Sequence, residues 1–402
     1  MTDAPTAAGR RPTAGRAIAS AATSTVLGSL PVFLLGGLAV LVRDELDFGE
    51  LQLGFAVTVF FSTAALSAVP AGRFVARWGA RTSTIAAAAL SVVALLAMAA
   101  TPSYAGLLAA LVLAGAGNAL AQIGSNETLA RVVPARRQGL AFGVKQAAVP
   151  LATLLAGLAL PVLGLTWGWR WGFALATLLA LGCVALAPRR TAGGAPRARA
   201  ARDGLSRPAR NALLVVAVAA TLGSAAANAL GGFLVESAVS TGVPAGRAGL
   251  LLAGGSGLGV GVRLFAGWLA DTREGGHLRA VGAMLAVGAL GMVLLATGAH
   301  AALVPGTLLA FALGWSWPGL LTFAVVRLNP TAAASATGIQ QTGNFAGGAL
   351  GPLLFGLLVQ TWSYRVAWSA AGVALVVAAA LLAQAGRMFA GRPASDAPLA
   401  VG

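Results

Sequence analysis

Twelve apolar runs, each about long enough to cross a bilayer, dominate the sequence. A helix that crosses roughly 30 Å of hydrocarbon needs about 20 mostly apolar residues. Runs of that kind lie at 17–42, 51–71, 83–101, 105–130, 139–163, 168–187, 211–235, 247–269, 280–298, 301–325, 334–359 and 366–386. They do not alternate between polar and apolar residues, as transmembrane strands do. The sequence therefore predicts an all-α polytopic membrane protein.

The composition excludes a water-soluble protein. Only 9% of the 402 residues are charged and 58% are apolar, whereas soluble domains carry about 25% charged residues. The net charge of +16 raises the question of nucleic acid, but the basic residues lie between the apolar runs rather than along one helix face. We therefore expect the lipid bilayer as a partner, and no nucleic acid.

Arginine is distributed unequally between the two sides of the predicted spans. Twenty-two arginines, Arg263 among them, fall on the side of the N-terminus. Four fall on the other side: Arg43, Arg170, Arg247 and Arg365. Cytoplasmic loops carry the excess of basic residues in membrane proteins. Both termini are therefore predicted to be cytoplasmic, with the protein in a plasma membrane.

The two halves of the chain repeat each other at an offset of 195 residues. The Thr-Trp-x-x-Arg sequence at 166–170 recurs at 361–365, and Gly-Val-Lys-Gln at 143–146 aligns with Gly-Ile-Gln-Gln at 338–341. Six spans in each half give both halves the same orientation, so we expect an axis along the membrane normal with a solute path between the halves. The predicted organisation is an N-terminal tail 1–16, bundles 17–187 and 211–388, a linker 188–210 and a C-terminal tail 389–402.

A glycine- and arginine-containing loop follows the second span and is repeated in the second half. It reads Gly-Arg-Phe-Val-Ala-Arg-Trp-Gly-Ala-Arg from residue 72, and Gly-Trp-Leu-Ala-Asp-Thr-Arg from residue 267. With the two six-span halves, this pattern resembles the major facilitator superfamily over residues 17–390, whose motif is Gly-x-x-x-Asp-Arg-x-Gly-x-Arg/Lys. The resemblance implies a transporter with a cytoplasmic-side gate at this loop. Ala76 replaces the motif's acid, so Asp271, Arg273 and Arg77 are the predicted gate residues; the alternative is a tight loop with solvated charges.

The stretch 117–150 resembles, more loosely, bacterial members related to cyanate and nitroimidazole permeases. The Gly-Pro-x-x-Gly-Gly sequence of antiporters is absent from the fifth span, which has Val149-Pro150-Leu-Ala-Thr-Leu instead. Proton-driven drug efflux thereby loses support. The bacterial plasma membrane is the expected location.

Lys145 is the only lysine beside 26 arginines, and it lies roughly 10 Å inside the fifth span at 1.5 Å per residue. A cation facing a central cavity would attract an anionic or strongly hydrogen-bonding solute. Alternatively, its aliphatic stem lets the ammonium reach the cytoplasmic headgroups.

Amide side chains accompany Lys145 at membrane depth, where polar groups that face lipid are costly. The predicted substrate-binding set is Lys145, Gln146, Gln340, Gln341, Asn344, Asn118, Gln122 and Asn228, with Phe33 and Trp315 as apolar walls. The alternative is that the amides bond neighbouring helices. Glu236, near the outer end of the seventh span, is the candidate for a proton-linked carboxylate in gating or coupling, unless it is a boundary residue.

Several function classes lack the residues that they need. A phosphate-binding loop requires Gly-Lys-Ser/Thr, and the sole lysine follows Val144; paired intramembrane carboxylates and catalytic Ser/His or Cys/His sets are also missing. We therefore expect no enzyme activity and no cofactor. The sequence predicts a monomeric secondary transporter of a small organic anion or polar metabolite, with coupling to a proton or another ion left open. Efflux of drug-like compounds and a non-transporting receptor are the alternatives.

Overall fold

Long helices separated by short loops make up the computed structural model, which describes residues 14–134, 138–187, 205–272 and 275–391. Within these ranges the spanning helices are α1 Ala14–Gly37, α2 50–78, α3 80–100, α4 Tyr104–Val132, α5 138–167, α6 Trp169–Leu186, α7 Arg207–Ser240, α8 Ala245–Thr272, α9 His277–Ala296, α10 His300–Leu328, α11 Ala333–Thr361 and α12 Tyr364–Ala390. A short helix, Ala39–Leu46, leads from α1 into the first loop. The all-helical prediction is confirmed.

Gly79 makes two spans out of one continuous helical segment. The segment Glu50–Ala100 has 51 residues, which would extend for about 77 Å if it were straight and could not fit in a bilayer of roughly 30 Å. At Gly79 the backbone takes φ 79° and ψ 170°, a conformation that glycine adopts without steric cost. The segment therefore turns back there, and α2 and α3 cross the membrane separately.

The two ends of the bundle are distinguished by what lies on them. Arg16, at the start of α1, donates a hydrogen bond to the backbone of Ala185 at the end of α6. We call this end, where α1 begins and α12 finishes, the terminal face. The opposite end, which carries the short helix Ala39–Leu46 and the loop at 241–244, is the distal face.

Glycines allow the halves to touch near the distal face at positions related by the 195-residue offset. A Cβ atom added to Gly54 would lie 2.3 Å from the backbone oxygen of Pro352, and one added to Gly249 would lie 2.6 Å from that of Gly157. The first contact joins α2 to α11 and the second joins α8 to α5. Small residues permit such close helix packing in membranes, and the repeated contact places the pseudo-twofold axis between the halves.

The outside of the bundle is apolar. Leu66, Val69, Leu181 and Val373 each expose more than three-fifths of their surface. Continuous exposed apolar surface of this kind marks an interaction or membrane surface. The chain is therefore a membrane protein, with lipid as the solvent of its outer surface.

Candidate functional site

A cavity of about 290 Å³ lies between the two halves. It is lined by α1, α2, α4 and α5 from one half and by α7, α8, α10 and α11 from the other. Asn126, the lining residue of α4 nearest the terminal face, is exposed. The cavity is therefore open towards the terminal face, while the glycine contacts close the distal face.

The internal repeat is present in the wall of the cavity itself. Sixteen of the 24 lining residues form pairs whose numbers differ by 195. The pairs are Ser29 and Ser224, Val32 and Ala227, Phe33 and Asn228, Ala68 and Arg263, Gln122 and Trp317, Ile123 and Pro318, Gln146 and Gln341, and Val149 and Asn344. Equivalent positions of the two halves thus face one solute space, with the same residue in two pairs and different residues in the other six.

Arg263 is the one cationic side chain among the described residues that line the cavity. Arg263 is 6% exposed, and its guanidinium donates at 2.6 Å to the backbone oxygens of Gln146 and of Trp315. Its Nε has no hydrogen-bond partner within the described ranges. Assigning Arg263 to a cytoplasmic flank in the arginine count was therefore wrong. The predicted span 247–269 already includes Arg263, and this position in the sequence indicates an arginine at membrane depth.

Breaks in two helices supply the backbone oxygens that hold Arg263. An α-helical carbonyl normally accepts from the N–H four residues ahead, but four residues after Gln146 is Pro150, which has no N–H. Trp315 lies where α10 is interrupted, between a π-helical turn at 310–314 and the helix that begins at Pro318. Both oxygens are thus free to accept from the guanidinium, which joins α8 to α5 and α10.

Lys145 is buried, and the structure does not place it among the lining residues. Its Nζ donates to Gln122 Oε1 and to Asn126 Oδ1, both at 2.7 Å. Both amides lie on α4 and line the cavity. The ammonium therefore lies behind the α4 wall, and direct contact between Lys145 and a solute stays a prediction.

The equivalent position in the second half behaves in the same way. Gln340 is fully buried outside the lining and accepts a hydrogen bond at 3.1 Å from Thr322 of α10. Gln341 lines the cavity, and its Oε1 accepts from Asn344 at 2.6 Å and from Gln340 at 3.2 Å. The predicted cluster on α11 is thus one connected network in which Gln341 and Asn344 reach the cavity.

The other predicted polar residues also reach the cavity. Asn118 lines it with an Oδ1 that has no partner in the described chain. Asn228 donates at 2.8 Å to the backbone oxygen of Ser224, and the Ser224 hydroxyl donates at 2.8 Å to the backbone of Asn344. Eight of the ten predicted substrate-binding residues therefore line the cavity, and Lys145 and Gln340 do not.

Aromatic rings close part of the wall. Phe33 and Trp315 have ring centroids 5.6 Å apart and come from opposite halves. Phe60 and Phe61 of α2 and Trp317 of α10 also line the space. The cavity therefore combines a polar region of amides and one guanidinium with an apolar aromatic region, and none of its described lining residues is a carboxylate.

An ion pair crosses between the halves at the distal face. Arg43, in the short helix after α1, lies 2.8 Å from Glu236 Oε2 on α7 and 2.9 Å from Glu50 Oε1 at the start of α2. All three side chains are less than a third exposed. We call the contact of Arg43 with Glu236 the distal ion pair. It joins the two halves and places Glu236 away from the described cavity lining.

The predicted gate at the terminal face is described only in part. Arg77 is exposed, and its guanidinium lies 5.3 Å from the ring centroid of Trp78. Arg273 and the side chain of Asp271 lie outside the described residues. The gate there stays a prediction.

In the part of the chain that the structure describes, twelve spans form two halves around a polar cavity, an architecture that is typical of membrane transporters. The family model of the Major Facilitator Superfamily matches residues 15–352, and the chain belongs to this family. The protein is thus a Major Facilitator Superfamily transporter, as the resemblance of its loop motifs implied.

Solved structures with the same fold include a bacterial homologue of the human lysosomal transporter Spinster. In its inward-facing, unoccupied conformation it matches with a TM-score of 0.77 and 17% identity, over 97% of this chain and 99% of that one. Its inward-facing, occupied conformation gives a TM-score of 0.73 over the same shares. Identity of 17% shows a common fold. No curated protein matches the sequence significantly.

Proposed function

We propose that the protein carries a small organic anion across the membrane by alternating access. The observation that carries the proposal is Arg263, the one cation among the described lining residues, none of which is a carboxylate. A guanidinium pairs well with carboxylate and phosphate groups. At an effective dielectric constant of about 20, a unit anion 4 Å away gains about 4 kcal/mol.

The amides and rings around Arg263 support an anion with an apolar part. Amide groups of Gln122, Gln146 and Gln341 offer hydrogen bonds to the acidic group, and the Phe33 and Trp315 rings offer apolar contact. Binding sites for small molecules commonly combine apolar walls with a few convergent polar groups. The cavity volume of about 290 Å³ suits a small metabolite.

In this proposal the two halves rock about the cavity, which opens to one face and then to the other. Opening the distal face requires the Arg43 contact with Glu236 to break, so we assign Glu236 to distal gating and keep Asp271 and Arg273 as candidates for the terminal gate. With Arg263 moved from a flank into the cavity, the arginine count becomes 21 to 4. That bias supports a cytoplasmic terminal face in a bacterial plasma membrane.

The proposal needs no cofactor. A solute gradient, or a proton or other ion moving with the solute, supplies the driving force. The described chain contains residues from both walls of the cavity, so we propose that the working unit is a monomer in the lipid bilayer.

Efflux of drug-like compounds is the second candidate. The aromatic wall formed by Phe33, Phe60, Phe61, Trp315 and Trp317 favours it, because flat apolar solutes stack on such rings. The two candidates differ in the charge that they prefer: the guanidinium favours anions and repels cations.

The test is a thermal-unfolding screen of the purified protein with organic carboxylates, amino acids and drug-like cations. A ligand that binds only the folded state raises its apparent stability, by about 2.7 kcal/mol at a hundred times Kd. We expect carboxylates to stabilise the wild type and to lose this effect in Arg263→Gln. Arg247→Gln is the matched control, since Arg247 is exposed on the same helix.

Two results would contradict the proposal. One is stabilisation by cations but by no carboxylate, which would favour the efflux candidate. The other is stabilisation by a carboxylate that is equal in Arg263→Gln and Arg247→Gln, which would remove Arg263 from the binding site. Measuring unfolding of each variant without solute separates a loss of binding from a loss of folding.

A further inference from the structure

Lys145 holds two cavity-lining amides through their oxygens. The residue is 4% exposed, and its ammonium lies 2.7 Å from both Gln122 Oε1 and Asn126 Oδ1. No carboxylate pairs with it within the described ranges. A buried charge is costly unless hydrogen bonds surround it, so the two amide oxygens stabilise the cation in the bundle.

This contact leaves only one orientation for each amide. An ammonium donates hydrogen bonds and cannot accept them, whereas an amide has an oxygen that accepts and an NH₂ group that donates. Both oxygens must therefore point to Lys145. Gln122 and Asn126 are four residues apart on α4 and share one face of the helix, and both line the cavity. Their NH₂ groups are the atoms left for a solute.

We propose that Lys145 is a positioning residue that converts the α4 wall into a hydrogen-bond donor surface and thereby sets the preference for anionic solutes. The inference rests on the proposed anion transport and assigns its selectivity to a residue behind the wall. A carboxylate only accepts hydrogen bonds and meets donors from α4 and from Arg263. A neutral primary amide brings an NH₂ group of its own, and the oxygens of Gln122 and Asn126 that could accept from it are already bonded to Lys145.

The repeat explains why this surface exists in one half only. The position equivalent to Lys145 is Gln340, which also faces the fourth helix of its half and bonds Thr322 of α10. A neutral amide there imposes no orientation by charge. The position equivalent to Gln122 is Trp317, so an aromatic side chain stands in the second half where the donor surface has an amide.

The experiment compares binding of matched solute pairs, each a carboxylate and its primary amide: acetate with acetamide, benzoate with benzamide, and nicotinate with nicotinamide. Kd is measured on the full-length purified protein for the wild type, Lys145→Met, Lys145→Arg and Gln122→Glu. Arg131→Met is the control, since it removes an exposed cation that pairs with Glu127 on α4 and orients no cavity amide.

The wild type and Arg131→Met should prefer the carboxylates. Lys145→Met should lower this preference by about tenfold or more, as expected for losing donors to a charged group, with amide binding retained or improved because the freed oxygens can accept. Lys145→Arg should restore the preference. Gln122→Glu keeps a partner for Lys145 and should also lose the preference, which preserves the test if Lys145→Met fails to fold.

Three outcomes would overturn the inference. Equal loss of carboxylate and amide binding in Lys145→Met, without rescue by Lys145→Arg, means a merely structural role. Full carboxylate preference in Lys145→Met means that the orientation of the amides does not select between carboxylate and amide solutes. If Lys145→Met does not fold, full preference in Gln122→Glu has the same meaning. Neither this outcome nor the preceding one contradicts anion transport. A wild type that prefers no carboxylate contradicts the proposed function itself, and this inference with it.

Discussion

At the scale of single residues, the buried cations Lys145 and Arg263 lie against neutral amide and carbonyl oxygens. Lys145 takes two side-chain amide oxygens, and Arg263 takes two backbone oxygens. The effective cost of burying an ion is several kcal/mol, so both charges depend on these bonds. Arg263 depends on Pro150, which leaves the Gln146 carbonyl without its helical partner.

Glu45, in the short helix at the distal face, gives a prediction on pH. A hydrogen bond from the Trp169 indole, with the neighbouring Arg170 guanidinium, holds the pKa of Glu45 below its usual range. A lowered folded-state pKa gives stability that is present above the unfolded pKa, about 4.3, and is lost as the pH falls through the folded value. The carboxylate is half exposed, so the contribution stays below about 1 kcal/mol.

We therefore expect the wild type to unfold at a higher temperature than Glu45→Gln at pH 6–7, with the difference shrinking as the pH falls below about 4.3 and lost below the lowered folded-state pKa. Unfolding temperatures of both proteins between pH 3 and 7 measure this. A difference that is constant over the whole range would contradict the assignment.

Six of the ten polar residues that line the cavity could be predicted from the sequence, because polar side chains inside apolar spans avoid the lipid and face the interior of the bundle. It missed the orientation of Lys145, since the direction of a side chain around a helix depends on which neighbours surround that helix. Helices rich in alanine and glycine show weak contrast between their faces, so the pattern could not separate Lys145 from Gln146. Arg263 was missed for another reason: it was counted with its loop neighbours although it lies inside a predicted span.

At the scale of helices, the length of the apolar runs was enough to predict the spans. It did not predict the π-helical turns that interrupt two of them. A π-helical turn at 160–164 lies at the end of the predicted run 139–163, and another at 310–314 lies inside the run 301–325. Such turns are frequent at functional sites, and here the second one precedes Trp315. The turn at Gly79 was better marked, since the loop motif supplies a glycine where a positive φ is needed.

The glycine contact between α5 and α8 gives a prediction at this scale. A Cβ added at Gly157 would lie 2.6 Å from the backbone of Gly249 and Ala253, whereas one added at Gly254 would meet nothing within 4 Å. Gly157→Ala should destabilise the packing by about 1–3 kcal/mol, as for an overpacked core, and Gly254→Ala should not. Thermal unfolding of the two variants measures the difference; equal unfolding temperatures would show that the contact yields without cost.

At the scale of the whole molecule, the distal ion pair and the glycine contacts hold the halves together on one face while the cavity opens on the other. The distal face has a second ion pair, Arg170 with Glu45, that stays within the N-terminal half. Arg43→Gln removes a bond between the halves, and Arg170→Gln removes a bond of the same charge type inside one half. Only the first change should shift the halves relative to each other.

Spin-label distances on both faces test this reciprocal motion most directly. One pair of labels is attached at Asp44 and Ser240 on the distal face, and the other at Ala76 and Val326 on the terminal face, after replacement of the buried Cys183. Arg43→Gln should lengthen the distal distance and shorten the terminal one, while Arg170→Gln leaves both unchanged. Distances that stay the same in Arg43→Gln, or a distal opening without terminal closure, would contradict transport by rocking of the two halves.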